Sequence, residues 1–339
     1  MTEQHKNLYI AWVPFQRRAE SLAAQFDLEV CYHHHSWSER NKFMRLASWF
    51  VKCASTFRDL IKYKPSYIFI QLAPTPLLYV SAIYCSFTRC QYISDCHNTM
   101  LYDAHNIHWP FAKSLLRRSL AVLVHNDDVK KHADRHMIDS IILRDPLPSM
   151  SIDENIKSVA NIDIHNKTYV IVPGSLAEDE PLNELFDAAS QVPDTDIILT
   201  WFSERLPPAL REKAPANIHF TGFLEENDFN ALYHHASAAI VLTTREGTQP
   251  SGASEAISLG IPLIVSRIKT TTRLYKDHPI YVDNTADAIA QGIKEALSDY
   301  SMWSNKIAEL RSEINHDADQ QIKTLKDQFL SPSREPVRE

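Results

Sequence analysis

Glycine is scarce in this 339-residue chain, which holds only 6. Each one therefore marks a backbone position with special demands. Five of the six fall between Gly174 and Gly260, and the sixth is Gly292. Long hydrophobic runs are missing too. None approaches the roughly 20 residues needed to span a bilayer. The longest mixed apolar stretch, Leu77 to Phe87, carries tyrosines and serines and reads as a buried helix. The opening residues, MTEQHKNLYIAWVPF, show no basic leader, long apolar stretch or small-residue cleavage site, so no secretory signal is expected. The 5 cysteines (Cys31, Cys53, Cys85, Cys90, Cys96) form no C-x-x-C pair. An odd number in a chain of this size points to reduced core thiols of a cytoplasmic protein, not to a disulfide framework. G-x-S-x-G, P-loop and H-E-x-x-H patterns are absent. Overall acidity without DNA or RNA motifs argues against a nucleic-acid partner.

What is present is ordinary for a globular protein: 44% hydrophobic and 23% charged residues. The length suits two domains. The formal net charge of −7 is unevenly placed. Residues 1–150 hold 18 Lys and Arg against 13 Asp and Glu, a balance of +5, while residues 151–339 hold 17 against 29, or −12. Two readings stand open: chance variation between domains, or a first half that faces an anionic partner such as a membrane or a diphosphate-bearing acceptor.

Short apolar runs alternate with helical patterns along residues 1–150, which are expected to form a first α/β domain. Residues 151–167 lack clean periodicity and read as a linker. Alternation restarts at Tyr169 and continues through residues 168–300. Residues 301–339 read as a polar helical tail that packs back on the first domain. The fold class expected is α/β, with two Rossmann-like doubly wound domains facing a cleft. Ligands of such sheets bind outside the carboxyl ends of the strands.

The informative stretch runs from Asn217 to Ser266. Ala238 to Thr243 reads as a buried strand, followed by the polar loop TREGTQPSG and a helix opening at Ala253. Ser251 is a suitable N-cap, and Gly252 lets a ligand approach the backbone. The free N–H groups and positive end of that helix suit a phosphate. Glu255, in the expected first turn, is favoured by the dipole and within reach of a sugar hydroxyl.

This segment resembles the donor-binding core of retaining glycosyltransferases of the GT-B fold, in particular glycosyltransferase family four. The matching pieces are Ile218-His219-Phe220-Thr221-Gly222, Tyr233-His234-His235-Ala236, the strand Ala239 to Leu242, and Glu255-Ala256-Ile257-Ser258-Leu259-Gly260-Ile261-Pro262-Leu263-Ile264. Order and spacing agree over about fifty residues. The resemblance implies transfer of a sugar from a UDP- or GDP-linked donor to a hydroxyl of a glycan or lipid-linked glycan, with retention, in bacterial surface polysaccharide biosynthesis. It implies no cofactor and no metal. Glu255 would hold the ribose, and Gly222, Phe223 and Leu224 would meet the base. Gly174, Ser175, Thr244, Gly247, Thr248, Gln249, Ser251 and Gly252 would meet the donor sugar and diphosphate.

Two departures qualify this picture. The first Glu of the family's E-x7-E falls on Gly247, with Glu246 one residue earlier. Either the loop has one extra residue and Glu246 holds the sugar, or backbone groups of Gly247 to Gln249 replace it. The family also places an Arg and a Lys after the first strand of this domain. Here that stretch is acidic, Pro173-Gly174-Ser175-Leu176-Ala177-Glu178-Asp179-Glu180. A departing diphosphate wants a cation, so Arg245 becomes the first candidate, with Arg267, Lys269 and Arg273 next. A nucleotide-sugar epimerase or hydrolase, and a non-catalytic nucleotide-sugar-binding subunit, are the alternatives.

In the first half, Asp95-Cys96-His97 resembles the D-x-H that relatives place beside the donor sugar, so His97 joins Arg245 and Glu246 as a catalytic candidate. Asp95 and Arg17 are candidates for the acceptor side. Arg40 to Lys62 reads as a basic amphipathic helix. Phe43, Leu46, Phe50, Cys53, Phe57 and Leu60 share one face, and Lys42, Arg45, Lys52, Arg58 and Lys62 supply charge elsewhere. It either packs that face into the core or lies on the inner face of an anionic membrane as a peripheral contact. Asp194-Thr195-Asp196 and Asp317-Ala318-Asp319 match D-x-D but fall where surface turns are expected, so no metal site is assigned.

Overall fold

The computed structural model describes residues 6–330 apart from 97, 103, 175 and 248; the side chains of 39, 98, 104 and 105 are also left undescribed. The chain divides into two compact units, Met1–Pro146 with His316–Glu339, and Leu147–Asn315.

The first unit holds a six-stranded sheet: β1 Leu8–Ala11, β2 Glu29–Tyr32, β3 Tyr67–Leu72, β4 Gln91–Cys96, β5 Ala121–Val124 and β6 Ile141–Ile142. Their order is β2-β1-β3-β4-β5-β6, and every pairing is parallel. β1 and β5 are buried along their whole length, because helices cover both faces of a parallel sheet. Asn41 and Asn126 cap the helices Lys42–Tyr63 and Asp127–Arg135 with their side-chain oxygens. Two short helices, Asn98–Leu101 and Ala104–Ile107, follow β4.

The second unit begins earlier than expected. Residues 151–167, read as a linker, include the hairpin β7 Ser158–Val159 and β8 Ile162–Asp163. Ala160 and Asn161, both at positive φ, make its tight turn. Val159 and Ile164 are buried in the same core as Tyr169, so this segment belongs to the domain. So short a hairpin carries too little periodicity to show in the sequence. The main sheet follows: β9 Tyr169–Val172, β10 Asp196–Leu199, β11 Ile218–Phe220, β12 Ala238–Val241, β13 Leu263–Ser266 and β14 Ile280–Val282. Its order is β11-β10-β9-β12-β13-β14, again all parallel.

Helix Tyr300–Leu325 belongs to both units. Ile307 and Leu310 pack into the core of the second, and Ile322 and Leu325 into the core of the first. Asp317-Ala318-Asp319 lies inside this helix, not in the surface turn expected of it.

Helix Lys42–Tyr63 corrects the reading that its aromatic face packs inward. Ser48, Lys52, Thr56, Asp59 and Leu60 are buried, whereas Phe43 and Phe50 are 80% and 73% exposed. The polar side is accommodated locally. Trp12 Nε1 donates to Thr56 Oγ1 at 3.0 Å, Lys52 Nζ lies 5.9 Å from the Trp12 ring centroid, and His33 Nε2 is 3.2 Å from Asp59 Oδ2. Burial lowers the pKa of His33, against the pull of Asp59.

Candidate functional site

In the second sheet the order turns back on itself between β9 and β12, the topological switch point at which doubly wound sheets bind ligands. A pocket of about 400 Å³ lies there. Val172, Pro173 and Gly174 line it from the end of β9, Val241 to Thr243 from the end of β12, and Gln249 to Gly252 from the start of the next helix.

Two of the scarce glycines account for how closely these pieces approach. A Cβ on Gly174 would lie 2.0 Å from Cζ2 of Trp201, and one on Gly252 would lie 2.6 Å from Cγ of Pro173. No real Cβ fits in either place. The buried Tyr233 donates its hydroxyl to the Gly252 carbonyl at 2.7 Å, which ties the helix start to the preceding helix, Glu226–His234.

That helix runs from Ser251 to Leu259. Ser251 is thus its first residue, not its cap. The cap position is Pro250, which makes no side-chain bond. One consequence is that Glu255 falls beyond the first turn. It is largely buried and does not line the pocket.

The acidic stretch folds over itself. Thr243 Oγ1 donates to the Asp179 carboxylate, and Thr244 donates its N–H to the Asp179 carbonyl at 2.8 Å. Leu176 N–H donates to Glu180 Oε2 at 3.0 Å. Asp179 and Glu180 both line the pocket, and none of the described lining residues is Lys or Arg. Arg245 is exposed just beyond β12, its N–H bonded to Thr243 Oγ1 at 3.0 Å, and it does not line the pocket. Its guanidinium makes no hydrogen bond or ion pair among the described residues. Arg267, by contrast, donates to the Tyr281 carbonyl and stacks on the Tyr281 ring.

Glu246 has a structural task that its sequence context does not reveal. Its carboxylate accepts from the N–H groups of Lys269 (3.0 Å) and Thr270 (3.1 Å) and from Thr270 Oγ1 (2.9 Å). It thereby caps helix Lys269–Tyr275, and Gly247 N–H adds a bond to Thr270 Oγ1 at 2.7 Å. The Lys269 N–H bond, followed by the two from Thr270, lowers the Glu246 pKa. The cap therefore persists above the ordinary carboxylate range and weakens only as pH falls through the lowered value.

Gly222 sits at φ +72°, with the half-exposed Phe202 ring where its Cβ would point. Phe223 is exposed, whereas Leu224 packs against the core. Ser175 and Thr248 lie outside the described residues, as does His97.

Asp95, expected on the acceptor side, is buried. It is 1% exposed, accepts a bidentate pair from Arg18, Nε to Oδ2 at 3.0 Å and Nη2 to Oδ1 at 2.9 Å, and also takes the Tyr9 hydroxyl at 2.6 Å. Arg18 Nη1 reaches Asp145 at 2.5 Å. Burial opposes the Arg18 charge, but Asp95 and Asp145 outweigh it and raise its pKa. Arg17, the acceptor candidate, is exposed at the helix start. Sequence reasoning did not single out Arg18, the buried member of the pair. The signal was available: Arg18 is on the helix face of Ala19, Leu22, Ala23 and Phe26.

A doubly wound domain with a switch-point pocket at a helix N-terminus, paired in the chain with a second parallel α/β domain, defines a two-domain Rossmann-like protein of the GT-B class. Residues 153–320, which cover nearly all of the second unit, match the family model described as Glycosyl transferases group 1. Among curated proteins, the chain is 25% identical over 177 residues to the Escherichia coli O-antigen biosynthesis glycosyltransferase WbnH, covering 52% of this chain and 51% of that protein. The chain thus spans about half the length of the curated relatives it matches. Among solved structures, Anabaena Alr3699/HepE in complex with UDP-glucose shares the fold at TM-score 0.60 and 14% identity, covering 96% of this chain and 98% of that one. A putative UDP-N-acetylglucosamine 2-epimerase from Listeria monocytogenes does so at TM-score 0.64 and 10% identity, covering 96% and 97%.

Proposed function

We propose that this chain transfers a sugar from a UDP- or GDP-linked donor to a hydroxyl of a glycan or lipid-linked glycan in bacterial surface polysaccharide biosynthesis. The observation that carries the proposal is the pocket between the ends of β9 and β12, opening on the start of helix Ser251–Leu259. The peptide N–H groups there and the helix dipole suit a diphosphate. The indole N–H of Trp201, a pocket-lining residue, is buried and finds no acceptor among the described residues. A ligand oxygen would satisfy it.

Transfer proceeds with retention in this reading and requires no metal. Phe223 and the Gly222 backbone meet the base, Glu255 the ribose, and Gly247 to Gln249 the sugar, because Glu246 is occupied as a helix cap. Arg245 swings over the leaving diphosphate. A lipid-linked acceptor brings the chain to the inner face of the membrane.

Arg245→Ala is expected to weaken binding of the cognate donor about 10- to 100-fold, the worth of one charge-assisted hydrogen bond. Isothermal titration with each nucleotide sugar reads this directly, and unchanged affinity removes Arg245 as the diphosphate cation. Glu255→Ala is expected to lose donor binding, and wild-type affinity sinks the ribose assignment. The acidic Asp179 and Glu180 favour one rival, a subunit that binds donor without turning it over. Product formation with an acceptor supports the transferase. Donor turnover without acceptor indicates the epimerase or hydrolase, and binding alone the non-catalytic subunit.

A further inference from the structure

Helix Lys42–Tyr63 turns its apolar stripe away from its own domain. Phe43, Leu46, Phe50, Phe57 and Ile61 are all exposed, and they follow helical spacing along one face. From Phe43 to Ile61 this stripe extends about 27 Å at 1.5 Å per residue. The adjoining helix Thr75–Phe87 adds exposed Ile83 and Phe87, and its Tyr84 meets the Phe57 ring edge-on at 6.1 Å. Isolated exposed hydrophobics are ordinary, but a continuous aromatic stripe marks an interaction surface.

Charge identifies the occupant. Lys42, Arg45, Arg58 and Lys62 are exposed on the same helix. Its one acid, Asp59, is buried against His33 and pairs with the Nε of Arg58 at 3.3 Å. The exposed surface of the helix is therefore apolar and purely cationic. A second copy of the chain would bring two such cationic rims together, which Coulomb repulsion opposes. A bilayer carrying anionic headgroups satisfies both components at once, with phenyl rings in the acyl boundary and ammonium and guanidinium groups at the phosphates. No helix among the described residues is long and apolar enough to cross a membrane.

We infer that this face docks the chain, lying flat, on an anionic lipid bilayer. The inference deepens the lipid-linked acceptor reading by naming the surface that meets the membrane. Its test needs no donor or acceptor, so the two fail separately.

The full chain is floated with vesicles of phosphatidylcholine alone and of an equimolar phosphatidylcholine–phosphatidylglycerol mixture. Binding is expected to the mixture and to be at least about tenfold weaker to phosphatidylcholine alone. Phe43→Ser with Phe50→Ser removes only exposed rings. It should leave the melting temperature unchanged while reducing vesicle partitioning at least about tenfold. Lys42→Glu with Lys62→Glu should reduce binding to the anionic vesicles about tenfold or more and flatten its salt dependence. No flotation of the wild type overturns the proposal, as does equal binding by the phenylalanine variant. Concentration-dependent self-association abolished by that variant overturns it too, since a second copy would then cover the face.

Discussion

Arg18→Ala is expected to destabilise the first unit by about 3–5 kcal/mol, the range for removing one partner of a buried ion pair. Arg18 is 5% exposed and Asp95 1%, so the carboxylate left behind has little access to water. It keeps the Tyr9 hydroxyl, whose own pKa is raised by burial and then by the Asp95 charge. A neutral donor does not replace a bidentate guanidinium. The loss should appear as a lower denaturation midpoint of the first unit in urea, followed by a probe within that unit, because a two-domain chain need not unfold in one step. The double variant Arg18→Met with Asp95→Leu removes both charges and should recover most of the lost stability. A loss under about 1 kcal/mol for Arg18→Ala would show that water or rearrangement satisfies Asp95. Asp145, half-exposed, contributes less, and its replacement by Asn should cost under about 1 kcal/mol.

Gly174→Ala tests the donor pocket in the same spirit. The new Cβ would overlap the six-membered ring of Trp201, with Cζ2 at 2.0 Å and Cε2 at 2.5 Å. Either the ring or the end of β9 must move. Overpacking of this kind costs about 1–3 kcal/mol. The displaced indole also lines the pocket, so donor affinity should fall together with stability. Trp201→Ala by itself opens a cavity and costs about 3–5 kcal/mol. In that background the added methyl has space, and Gly174→Ala should cost little. A thermodynamic cycle should therefore give a coupling of about 1 kcal/mol or more between the two positions. Additive effects would mean that strain at the β9 backbone, and not the indole, forbids a side chain there.

Much of the architecture was legible in the sequence. The strands and long helices declared themselves through unbroken apolar runs and amphipathic spacing, which are local properties. β9 begins at Tyr169, where the alternation restarts. Two of the glycines clustered between Gly174 and Gly260 line the pocket, because a Cβ on Gly174 would overlap the Trp201 indole and one on Gly252 the Pro173 ring. The hairpin at Ser158–Asp163 was missed because two-residue strands carry no period.

By itself, the sequence determined two parallel α/β domains, a helix start soon after β12, and an acidic stretch after β9. These follow from residue type and spacing within a few turns of chain. Tertiary structure decided which polar groups are already spent. Glu246 is committed to the helix at Lys269, Asp179 to Thr243 and Asp95 to Arg18, and each partner lies more than 20 residues away. Tertiary structure also decided the rotation of helix Lys42–Tyr63. Its aromatic stripe has the period of a buried face, but Trp12 and His33, brought in from other elements, claim the opposite side. A helix periodicity fixes that there are two faces. Which one turns inward depends on the partners that the fold supplies.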